Sequence, residues 1–85
     1  MEKDYFSIIR IGPKKYALSW QHDMADAIRH QHLEEDAGNK VIKMYEVDSS
    51  LAAETLKACN EFVVGRITLS GLEDKMKSIK TCVKA

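Results

Sequence analysis

The residues whose spacing could do chemistry in this chain are His22, Asp26, His30 and Glu34, which recur every four positions. On a helix that step stacks them on one face, where imidazole and carboxylate alternate as metal ligands could. The same face reads more simply as a solvated one. It lies away from the apolar residues of its segment, and no clustered Cys/His spacing reinforces it. His22 sits at or before the helix cap, and His30 and His32, two apart, point in nearly opposite directions. The reading assigns no metal site.

Nucleophilic chemistry has less support. No G-x-S-x-G elbow frames a serine, and neither Cys59 nor Cys82 has a His or acid pattern around it. Gly12, Gly38, Gly65 and Gly71 fall where chain reversals or helix ends need them, and not in a phosphate-cradling loop. The expectation is a protein without catalytic residues or cofactor, not an enzyme.

The elements that must position any site are legible along the chain. Residues 5–11 are β-branched and aromatic and read as a strand. Gly12-Pro13-Lys14 is a turn signal, and residues 15–20 alternate with Tyr16, Leu18 and Trp20 on one face. Together they predict a β-hairpin. Asp23 is the N-cap of a helix that runs to about Ala37, where Gly38-Asn39 supplies the stop. Its apolar stripe is thin: Met24, Ala27, Ile28 and Leu33. Residues 40–47 form a third strand. Asp48-Ser49-Ser50 offers cap oxygens for a second helix over roughly 50–64, with Ala52, Leu56, Cys59, Phe62 and Val63 at helical spacing. Ser70 and Glu73 fit a capping box for a third helix carrying Leu72, Met76, Ile79 and Val83. Residues 66–69 are left open between loop, helix and edge strand.

The order is ββαβαα, an α+β fold filling residues 1–85 as one compact domain. The first strand is the most apolar and belongs in the middle. A right-handed crossover from strand two to strand three then gives an antiparallel three-stranded sheet of order 2-1-3. The helices pack mainly on one face.

The hairpin register decides which side chains reach them. A two- or four-residue turn pairs Ile11 with Tyr16 and Ile9 with Leu18. That gathers Ile9, Ile11, Tyr16, Leu18 and Trp20 under the helices and turns Phe6, Ile8, Arg10, Ala17 and Ser19 outward. A three-residue turn exchanges the two faces of strand one. Either way one large apolar pair of that strand needs a cover, supplied by the third helix or by a partner.

Charge adds a second theme. Thirteen Lys+Arg balance thirteen Asp+Glu in 85 residues, a formal net charge of +0. That excludes a generally basic nucleic-acid binder, an acidic tail and a polybasic membrane anchor. The balance is a cancellation. Asp23, Asp26, Glu34, Glu35 and Asp36 face Arg29 alone, Lys75, Lys77, Lys80 and Lys84 end the chain, and Arg10, Lys14 and Lys15 gather at the hairpin tip. Two cysteines 23 positions apart read as reduced thiols, and the N-terminus lacks a signal-peptide pattern. No apolar run is long enough to span a membrane. The expected location is the cytoplasm.

These features predict a non-catalytic protein-binding module, a small inhibitor, adaptor or subunit. Its contact residues would be Phe6, Ile8, Arg10, Lys14 and Lys15, and its partner another protein or a second copy of itself. The alternative is a nucleic-acid-binding accessory domain that uses the basic hairpin tip and the C-terminal lysines.

Overall fold

The computed structural model describes residues 2–84, with side chains through residue 79. Strands β1 (Lys3–Gly12) and β2 (Lys15–Gln21) form the hairpin, followed by helix α1 (Met24–Asp36) and strand β3 (Lys40–Asp48). A 3-10 turn (Ser49–Leu51) leads into α2 (Ala52–Val63), and α3 (Leu69–Lys84) follows. The sheet has the order β2-β1-β3 with both pairings antiparallel, and the most apolar strand is central as expected.

The hairpin turn does hold two residues, Pro13 and Lys14, between the paired Gly12 and Lys15. A register shift at Ile11 then undoes the pairing such a turn implies. Arg10 faces Tyr16, Ile8 faces Leu18, and Phe6 faces Trp20. One extra residue in a strand moves everything beyond it to the other face. The expected pairs of Ile11 with Tyr16 and Ile9 with Leu18 are therefore corrected, and Phe6 and Ile8 point inward.

The core explains why this arrangement wins. Phe6 and Ile8 are flanked by Tyr16 and Leu18 on β2 and by Tyr45 and Val47 on β3. This broad apolar patch meets Ala58, Cys59 and Phe62 of α2 and Leu72 and Met76 of α3. The opposite face carries Tyr5, Ser7, Ile9, Ala17 and Ser19, a smaller and more polar set. The larger patch goes beneath the two-helix layer because burial free energy grows with apolar area. Two of the three helices thus share one face, and α1 lies across the other, touching all three strands with Ala27 buried.

Local chemistry sets the boundaries. Asp23 accepts a hydrogen bond from Ala25 N at 2.7 Å and caps α1, and Gly38, at φ 89°, ends it. Gly65, at φ 82°, ends α2 in the same way. Two expected caps are replaced. The Asp48-Ser49-Ser50 oxygens cap no helix, because Asp48 and Ser49 bond to β1 instead. The N-terminus of α3 is capped by Thr68, whose Oγ1 accepts from Gly71 N at 3.1 Å, so the helix begins before the Ser70–Glu73 pair. Residues 66–68 are a connector, and Leu69 already belongs to α3. The expected Val83 and Cys82 contacts, and the side chains of Lys80 and Lys84, lie outside the described residues.

Lys14 carries the only non-glycine positive φ among the described residues, at 60°. It follows Pro13, in the pattern of a turn that favours glycine at its third position. Lys14→Gly is expected to raise unfolding stability by about 0.5–1 kcal/mol, because the Cβ strain exceeds the added chain entropy. Urea titration of both proteins checks it, and a loss of stability would contradict this account of the turn.

Candidate functional site

The most constructed polar centre is built on Asp4, near the start of β1. Its side chain is only 5% exposed. Oδ2 accepts from Trp20 Nε1 at 2.7 Å and lies 3.2 Å from His22 Nδ1. Oδ1 accepts from Ser49 Oγ at 2.6 Å. The carboxyl is held below its usual range, first by the Ser49 hydrogen bond and then by those of Trp20 and His22, against the opposing effect of burial. Beside it, Lys3 Nζ meets Asp48 at 2.6 Å, a bond that raises the ammonium above its ordinary value. Trp20 stacks on Phe6 with ring centroids 5.3 Å apart and meets the His22 ring at 5.4 Å.

An open cavity of ≈ 700 Å³ lies over this cluster, floored by Ala52, Ala53 and Leu56 of α2. Serine, histidine and aspartate meet here, but their order is wrong for a relay. A relay needs the imidazole between carboxylate and hydroxyl. In this cluster Ser49 and His22 both turn to the same carboxylate, so no base is set on the hydroxyl. What the arrangement does is fasten the start of β1 to the end of β2 and to the β3–α2 turn. The sequence reading missed it because its partners lie 16 and 45 positions away. The available signal was a lone aspartate opening an apolar strand.

The histidine ladder is not assembled. His22 is committed to Asp4, Asp26 pairs with Arg29 at 3.1 Å, and Glu34 accepts from Asn39 at 3.2 Å. Among the described residues, no three His, Cys, Asp or Glu side chains are grouped to hold a metal ion. Cys59 is buried in the core, and burial pushes its thiol up to about 11, which leaves almost no thiolate near neutrality.

The five expected contact residues divide. Phe6 and Ile8 are both 0% exposed beneath α2 and α3, so they are core residues and not an open patch. The cover weighed for this side is intramolecular, and α2 contributes to it along with α3. Arg10, Lys14 and Lys15 are exposed at the hairpin end. The β1–β3 register places Lys40 directly beside Arg10, a neighbour that sequence spacing did not reveal. Of the C-terminal lysines, Lys75 is paired with Glu61 at 2.8 Å.

Exposed apolar side chains occur at Ile11, Trp20 and Val64, and several more gather on the α1 side. Met24, Ile28 and Leu33 are 49%, 44% and 60% exposed. Met44, opposite Ser7 in the sheet, adds to the same side. At about 100° per residue, Met24 and Ile28 flank the buried Ala27 on one side of the helix and Leu33 on the other.

No helix among the described residues is long and apolar enough to cross a membrane. Comparison with known proteins adds no family to this picture: no family model, no curated protein and no solved structure matches the chain.

Proposed function

We propose that this protein is a non-catalytic protein-binding module, a small inhibitor, adaptor or subunit, whose contact surface is the α1 layer. The observation that carries the reading is the inversion of α1. A helix with one buried residue, Ala27, leaves Met24, Ile28 and Leu33 in water. Water-exposed apolar side chains on both flanks of one helix are what a docking surface costs a monomer. Asp23, Asp26, Glu34, Glu35 and Asp36 lie among them, so the fitting partner surface combines apolar and basic groups. The buried, protonated Cys59 thiol is compatible with a reducing cytoplasm.

Ile28→Asp tests this, because the side chain is 44% exposed and a melt separates lost binding from lost folding. Partners captured from the native host by wild type and variant are quantified side by side, with thermal melts confirming that both are folded. Loss of a captured protein by at least about tenfold, with the melting point within a few degrees, is the expected result. A capture profile indifferent to Ile28→Asp and Leu33→Asp sinks the α1 reading. The row Arg10, Lys14, Lys15 and Lys40 supports a second reading as a nucleic-acid-binding accessory domain. Low-salt retention on DNA that Arg10→Ala and Lys40→Ala abolish would favour it over the first.

A further inference from the structure

The two edges of the sheet are treated differently. Strand β3 carries Lys40, Lys43 and Glu46, and its pairing is interrupted by a register shift beside Ile42. Lys43 also reaches Glu73 of α3 at 2.7 Å. Charges and a bulge are the usual devices that keep an edge from pairing with another chain. Strand β2 is less protected. It runs in unbroken register with β1 from Tyr16 to Gln21, and Lys15 is its single charge. Among the described residues, its backbone bonds to no element except β1.

We propose that β2 is a self-association edge, at which a second copy of this chain pairs antiparallel about a two-fold axis at Leu18. The sequence of the strand is self-complementary in that register. Leu18 opposes Leu18, Ala17 opposes Ser19, and all seven residues find a partner. Tyr16 of one copy opposes Trp20 of the other, an aromatic pair on the α2 face that continues the Tyr16–Leu18–Trp20 stripe across the axis. Trp20, 40% exposed in the single chain, gains the cover it lacks. Charge agrees as well. Lys15 opposes the neutral Gln21 and not its own copy, and Lys14 and Lys15 approach Asp23 of the second chain. Pairing produces one continuous six-stranded sheet of order 3-1-2-2-1-3 and leaves the α1 surface free for another partner.

An interface of one strand per copy is small, so association in the range of tens to hundreds of micromolar is expected. Sedimentation velocity across that range, up to ~1 mM, reads it. Gln21→Lys sets lysine against Lys15 twice by symmetry and is expected to weaken dimerisation roughly tenfold, and Lys15→Glu combined with Gln21→Lys to restore it. Amide exchange in the unmodified protein gives a second readout: β2 amides slow with concentration, while β3 amides do not. A wild type still monomeric at ~1 mM overturns the proposal, as does a dimer indifferent to Gln21→Lys or one whose β2 amides stay unprotected.

Discussion

Phe6→Ala is expected to remove about 4 kcal/mol of unfolding stability, the largest loss from any single truncation in this chain. Phe6 lies at 0% exposure in the central strand, stacked on Trp20 and paired across the sheet with Tyr45. Both strand neighbours and the α2–α3 layer are held in place by it, so little collapse into the vacated volume is available. A domain of this size has roughly 5–10 kcal/mol to lose, and the melting point should fall by ~20 °C. Chemical denaturation followed by circular dichroism measures the effect. A near-neutral Phe6→Ala would overturn the placement of this side chain in the core.

The second large effect is expected at Asp4. Asp4→Ala leaves Trp20 Nε1 and Ser49 Oγ without their acceptor inside the fold, at a cost of about 3 kcal/mol. Asp4→Asn keeps the shape but offers one acceptor oxygen and turns an NH₂ towards donors, so it rescues little. The pH dependence identifies the cause. The folded-state pKa of Asp4 lies below its unfolded value, with the Ser49 bond the largest contribution. The stability it contributes is complete above the unfolded value, near pH 4, and is lost as pH falls through the folded value. Glu61, held down by Lys75, and Glu73, held down by Lys43, act with the same sign. Acid weakening therefore persists in the variants, and Asp4 is seen in the difference between curves. The expected result is a gap between wild type and Asp4→Asn that holds from pH 6 to about 5 and narrows as pH drops further towards 3. A gap constant across that range would remove the carboxylate's charge from the explanation and leave only its shape.

The fold was largely legible because its local signals agree. Pro13 beside Gly12 marks a turn, Asp23 and Gly38 bracket a helix, and the α2 and α3 stripes repeat at helical spacing. Each of these acts within a few residues, where propensity and hydrogen-bond geometry operate directly. Strand order followed too, since one crossover rule and one most-apolar strand leave few arrangements open. The contact patch was not legible for a definite reason. β1 is apolar on both faces, with Phe6 and Ile8 on one and Ile9 and Ile11 on the other, so alternation cannot say which is inside. Lys40 beside Arg10, and Asp4 beneath Trp20 and Ser49, depend on pairings between distant segments.

By itself, then, the sequence determined the elements, their order, and a neutral charge made of an acidic α1 and basic ends. Only the tertiary structure decided which face of β1 is core. That choice rests on a single unpaired residue, Ile11, and on two helices together burying more apolar area against Phe6 and Ile8 than α1 can against Ile9. It moved the candidate surface from the sheet to α1 and the β2 edge, because burial is a property of what packs together and not of any one segment.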